Sequence, residues 1–176
     1  MSAARAGHPD PMAHSADTRK ADTQKIDDLL SDVRIGMLAT TGPDGAVVSR
    51  PMAHQESDGA TVWFFAHRAS RKVEHVLREP SVLLTYSATG TWLSLRGRAS
   101  VVSDADRLRE LWTTAAEAWL PEGPDSPESV LLRVDLESAE YWDTPGSKIA
   151  TTIAYAKSKL TGERPDLGEH DKVDLT

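Results

Sequence analysis

Short apolar stretches broken by strong turn signals dominate the middle of this chain. Ile35 to Thr40, Ala46 to His54, Thr61 to Ala66 and Val82 to Tyr86 each have the length of a strand. Gly42-Pro43-Asp44-Gly45, Asp58-Gly59 and Thr89-Gly90 are the turns that return them. Trp92 to Ala99 reads as a long fifth strand, with Gly97 easing a bend. Val130 to Leu136 reads as a sixth, and Ala139 to Trp142 continues or re-enters the sheet. Pro51 lies inside the second strand; it cannot donate to a ladder, so it belongs at an edge or a bulge. Short antiparallel strands expose edges unless the sheet curls shut. The expected fold is mainly β, with a closed or nearly closed antiparallel barrel and flanking helices.

Helical spacing appears outside these stretches. Ile26, Leu29, Leu30 and Val33 predict a short amphipathic helix starting near Thr23 and covering one end of the sheet. Ser70 is placed to cap a helix from Arg71 to about Arg78, which Glu79-Pro80 stops. Ser103 or Asp104 opens a longer helix with Leu108, Leu111, Trp112, Ala115 and Trp119 on one side. Ile149 to Leu160 carries the pattern of a tail helix. Residues 1–23 are rich in Ala, Asp, His and Pro and read as a disordered leader. Residues 24–160 are then the folded domain, and 161–176 a polar tail.

The 176 residues suffice for one domain with a real core. A net charge of −7 argues against general nucleic-acid binding, which needs a basic face. No stretch suits a membrane span, and no secretory signal pattern opens the sequence, so a cytoplasmic location is the expectation. The absence of cysteine excludes disulfides, thiolate metal sites and a cysteine nucleophile. No HExxH, GxSxG, GxGxxG or P-loop pattern occurs, and the histidines have no metal spacing.

One segment combines the ingredients of an anion site. Ser49-Arg50-Pro51-Met52 lies on a strand, Trp63-Phe64-Phe65-Ala66 on its return strand, and Ser70-Arg71-Lys72 at a helix N-terminus. First-turn amides lack intrahelical acceptors, and the helix dipole favours negative charge there. Ser70 adds a hydroxyl, Arg71 or Lys72 adds charge, and Arg50 offers a planar fork suited to phosphate. Taken singly, each residue also fits a plain structural role: a cap, a surface cation, a core aromatic. Trp63 and Phe65 share one strand face and Phe64 takes the other, with core packing the expectation for Phe64.

In order and spacing these motifs resemble the flavin-binding split barrels related to pyridoxamine 5′-phosphate oxidase, in particular their bacterial general-stress-protein branch. Gly97-Arg98-Ala99, Leu111-Trp112, Trp119-Leu120-Pro121-Glu122-Gly123 and Ala139-Glu140-Tyr141-Trp142-Asp143 extend the resemblance from about Asp27 to Leu160. It implies a six-stranded split barrel that forms a homodimer with FMN at the interface. FAD or a deazaflavin coenzyme is the alternative; nothing selects haem. By motif, Arg50, Ser70, Arg71 and Lys72 would hold the phosphate. Ser49, Pro51 and Met52 would run beside the ring, and Phe64, Phe65 and Ala66 would line the neighbouring strand. Trp142 would approach from the partner subunit. Ala66 stands where the family often has threonine, and the C-terminal basic signature of true pyridoxamine phosphate oxidases is missing. The expected activity is therefore a flavin-dependent oxidoreductase fed by a reduced nicotinamide, and not a vitamin B6 oxidase. A flavin-binding store or sensor without turnover is the rival reading, and a cofactor-free interaction dimer a third.

Overall fold

The computed structural model describes residues 11–88, 90–143 and 169–175. Helix α1 (Pro11–Ser31) leads into β1 (Ile35–Thr41), β2 (Val47–Ser57) and β3 (Thr61–His67). Helix α2 (Arg71–Arg78) follows, then β4 (Ser81–Ala88) and β5 (Thr91–Val102). Two short helices, α3 (Ala105–Leu111) and α4 (Thr114–Glu117), precede β6 (Ser129–Asp143), and β7 (Glu169–Asp174) ends the described chain.

The strands lie in the order β3-β2-β1-β4-β5-β6-β7, and β3 also pairs with β6, which closes six antiparallel strands into a barrel. The expected mainly β split barrel is therefore the fold. Strand β6 makes the closure possible by its length. Its first half, Ser129 to Asp135, pairs with β3, and its second half, Ser138 to Asp143, pairs with β7. Strand β5 follows β6 along both halves, with a register shift at Arg96/Gly97. Gly97 is required there: a Cβ would fall on the Asp135 carbonyl.

Inward positions of alternate strands fill the interior. Leu38, Val62, Phe64, Leu84, Leu93, Leu95, Val130, Leu132 and Val134 are sealed from solvent. Ile26 and Leu30 of α1, and Val73 and Val76 of α2, join the same cluster. A smaller cluster forms outside the barrel, where Leu108 and Leu111 of α3 meet Leu131, Trp63 and Phe65.

Several elements differ from the sequence expectation. Helix α1 begins at Pro11 rather than near Thr23. Proline at the first helical position and the alanines that follow both suit a helix. The single helix expected after Asp104 breaks at Trp112, which is extended at φ −64° and ψ 134°. Thr113 is extended too and starts α4, so Ala116 and Leu120 are buried while Ala115 and Trp119 are exposed. Residues 169–174 of the polar tail form β7, where Val173 is buried against the barrel. The tail helix expected over Ile149 to Leu160 lies outside the described residues.

Candidate functional site

The barrel is split between β2 and β3. Their pairing runs only from Ser57↔Val62 to His54↔Phe64, with a bulge between His54 and Glu56. Beyond it, residues 47–53 of β2 pair with β1 alone, and Phe65 to His67 of β3 pair with β6 alone. Pro51 therefore lies on an edge, which explains how β2 tolerates it. The parted strands expose two backbone edges, and three residues separate the end of β3 from the start of α2.

At that place three cations converge. Arg50 is half-buried, and its Nη1 donates to the Leu38 carbonyl at 3.1 Å and the Thr40 hydroxyl at 2.7 Å. Burial, and then the charge of Arg71, lower the proton affinity of the Arg50 guanidinium. Burial, and then the charge of Arg50, do the same for the Lys72 ammonium. No carboxylate pairs with Arg50, Arg71 or Lys72 among the described residues. Like charges held this close, without a partner, gain from an anion between them.

The remaining donors belong to the start of α2. Ser70 is its N-cap at φ −76° and ψ 146°, yet its side chain makes no capping bond. The Ser70 Oγ is sealed from solvent and has no hydrogen-bond partner. The Val73 and Glu74 amides both reach the Ser70 carbonyl, at 2.9 and 3.2 Å. The amides of Arg71 and Lys72 have no acceptor among the described residues. An orphaned hydroxyl, two free amides and three unpaired cations match the donor set a phosphate monoester needs.

Other members of the basic island have structural duties. Arg68 donates to the Pro127 carbonyl and the Ser103 hydroxyl, both at 2.7 Å, and ties three loops together. His67 accepts from the Ala69 amide at 3.2 Å and turns its Nε2 toward Glu122 and Glu128. His75 is buried, 2.9 Å from the Thr40 hydroxyl.

The predicted ring-contacting residues are spread over different surfaces. Ser49 and Pro51 face outward and are exposed, while Met52 packs partly against the core. Phe64 and Ala66 point into the barrel and are buried. Phe65 takes the other face and packs on Trp112 at 5.2 Å between ring centroids. Trp142 stands opposite Trp92 in the β5–β6 ladder and lines an outer groove of about 420 Å³, apart from the cations. Ile35, Gly36, Met37, Thr85 and Tyr86 supply most of its other wall. Gly36 makes room for the ring of Tyr86, which a Cβ there would overlap. The Tyr86 hydroxyl is buried without a partner, and burial raises its pKa well above the usual phenol value.

Sequence reasoning missed this groove, and it missed Thr40 and His75 as neighbours of Arg50. A signal for the groove was present: Ile35 and Met37 are apolar yet alternate with the buried Leu38 and Thr40, so β1 is apolar on both faces.

A split antiparallel barrel, with a cationic cluster at a helix N-terminus and an apolar groove on its outer wall, defines the class of this protein. The profile of the family described as pyridoxamine 5′-phosphate oxidase like matches residues 21–166, and the chain belongs to that family. It is 28% identical over 163 residues to protein bli-3 of Neurospora crassa, covering 84% of this chain and 78% of that one. A candidate general stress protein 26 from Jannaschia sp. CCS1 superposes with a TM-score of 0.72 at 31% identity, covering 90% of this chain and 99% of that chain. The general stress FMN/FAD binding protein of Xanthomonas citri gives a TM-score of 0.62 at 28% identity, over 73% of this chain and 92% of that chain.

Proposed function

We propose that this protein is an FMN-binding split barrel acting as a flavin-dependent oxidoreductase in a stress response, with a reduced nicotinamide as electron donor. The observation that carries the reading is the convergence of Arg50, Arg71 and Lys72, without a carboxylate, on a helix N-terminus whose Ser70 hydroxyl lacks a partner. These four residues would hold the phosphate. The parted edges of β2 and β3 offer backbone donors and acceptors to the ring beside Ser49, Pro51, Met52, Phe64, Phe65 and Ala66. The names of the Xanthomonas and Jannaschia relatives support both the cofactor and the stress context.

The outer groove belongs to the same reading. In a homodimer, Trp142 and Trp92 of one subunit would wall the ring held by the other. When bound, the flavin supplies two-electron transfer, and the protein supplies binding, orientation and exclusion of water. One observation favours a store or sensor without turnover: among the described residues, Tyr86 is the only ionisable side chain lining the groove, and burial keeps it protonated.

Three measurements test the reading. Purified protein should carry a flavin absorbance or take up added FMN, whereas a colourless protein that ignores FMN would refute it. Arg50→Ala and Lys72→Ala should each weaken FMN by roughly 10- to 100-fold, the worth of one charge-assisted bond; unchanged titrations would remove the phosphate assignment. Rapid mixing with NADH or NADPH under anaerobic conditions then separates enzyme from store, since a flavin that stays oxidised rules out the nicotinamide-fed reaction.

A further inference from the structure

Arg50 is held from behind by a carbonyl, a hydroxyl and, through that hydroxyl, an imidazole. Its Nη1 spends its bonds on the Leu38 carbonyl and the Thr40 hydroxyl. The same hydroxyl lies 2.9 Å from Nδ1 of His75. Thr40 is 1% exposed and His75 5%, so the bond between them is shielded from water. Because the Thr40 oxygen accepts from Arg50, its own hydrogen is free to go to His75. In the arrangement that uses every group once, Nδ1 of His75 accepts that hydrogen. The chain Arg50→Thr40→His75 crosses from β2 through β1 to α2.

We propose that Thr40 and His75 are positioning residues for the cofactor phosphate: the chain locks the Arg50 guanidinium so that its Nε–Nη2 edge meets the anion. The proposal rests on the flavin-phosphate reading above and deepens it. Among the described residues that edge makes no hydrogen bond, and such an edge suits bidentate contact with a phosphate. Ordering an arginine side chain costs conformational entropy, and a site that fixes it beforehand spares the ligand that cost. The chemistry of the lock matters as well. A carboxylate behind Arg50 would hold it equally well but would cancel its charge, whereas a hydroxyl leaves the full charge for the ligand. His75 also belongs to the helix that begins with Ser70, Arg71 and Lys72. The chain thereby fixes the spacing between donors on β2 and donors on α2.

The test compares FMN with riboflavin, which has the same ring and no phosphate, by calorimetric titration of the full chain. Thr40→Val and His75→Leu should each raise the Kd for FMN about tenfold, the scale of one lost bond to a charged group. The Kd for riboflavin should not move. Thr40→Ser and His75→Asn, which keep a hydroxyl and an acceptor near the Nδ1 position, should restore FMN binding. In an Arg50→Ala background Thr40→Val should have no further effect, because a chain that works only through Arg50 is silent without it. Equal losses for FMN and riboflavin, or full additivity with Arg50→Ala, would reduce Thr40 and His75 to packing groups and overturn the proposal. An Arg50→Ala variant that binds FMN like the wild type would instead bring down the phosphate reading itself. Should the apolar variants fail to fold, ¹⁵N spectra of the wild-type imidazoles decide: His75 with a bare Nδ1 supports the chain, and His75 with a protonated Nδ1 breaks it.

Discussion

Two ionisable residues, half-buried Lys72 and buried His54, carry opposite messages about pH. Lys72 sits among cations and is partly withdrawn from water, so it gives up its proton below the usual lysine value. Free Lys72 thus loses charge earlier in the alkaline range than an ordinary lysine, and FMN should bind less tightly as pH rises there. Lys72→Arg should flatten that profile, since guanidinium keeps its charge; identical profiles for the two proteins would remove Lys72 from the site. His54 reports on stability instead. It is buried edge-on to Tyr86, 5.6 Å between ring centroids, and its Nδ1 has no partner. Burial, and then the Arg34 charge, push its pKa down to about 4. The unfolded chain therefore binds this proton first as pH falls. Stability from a neutral His54 is complete above about pH 6.5 and is lost as pH drops from there toward about 4. The loss should be on the order of 2–3 kcal/mol. Urea unfolding at pH 7 and pH 4.5 measures it, with His54→Phe as the control that subtracts the carboxylates. Equal pH dependence in both proteins would exclude His54 as the source.

Among the elements, the helices show most clearly what local pattern reveals and what it hides. The stripe Ile26, Leu29, Leu30 and Val33 announced a helix lid, and all four residues are buried in the barrel cluster. Leu30→Ala should therefore cost about 2–5 kcal/mol in unfolding free energy, as deletion of a core leucine does. A loss below ~1 kcal/mol, the scale expected of an exposed leucine, would mean that α1 does not plug the barrel. Helix α2 was legible to the residue because Ser70 and Glu79-Pro80 mark its ends with unrelated chemistry. The break at Trp112 was hidden, because apolar spacing continues through it, while the extended turn goes with a tertiary contact of Trp112 with Phe65. Strand β7 was hidden for a related reason. Its sequence Glu-His-Asp-Lys-Val-Asp has almost no apolar pattern, and it becomes a strand by pairing with the free half of β6. The cationic cluster was half legible: charge and the cap pointed to Arg50, Ser70 and Lys72, but the link from Thr40 to His75 joins residues 35 positions apart.

At the scale of the whole molecule, a closed barrel should hide its apolar surface, and this one does not. Ile35, Met37, Val47, Leu83, Trp92 and Trp142 are all exposed, with Ile35 at 63% and Val47 at 72%. They stand on β1, β2, β4, β5 and β6, on the outward side of a barrel whose inward side is already filled. Scattered apolar residues need no explanation, but six on adjoining strands form a patch of the kind that marks an interface. On the function proposed above, a second copy of the chain would unite this patch with the groove and the cationic cluster, because it would bring Trp142 to a ring anchored at Arg50. In a two-fold dimer each substitution acts twice. Met37→Glu and Leu83→Glu, combined, should place four charges in the interface and give a monomer by light scattering. The barrel itself should stay folded, because both side chains point away from its core. FMN affinity should fall along with dimerisation, even though neither side chain is one of the phosphate donors. A variant that stays dimeric would show that the interface lies on another face. A wild-type monomer that binds FMN tightly would show that one barrel completes the site alone, leaving the outer groove without a part in flavin binding.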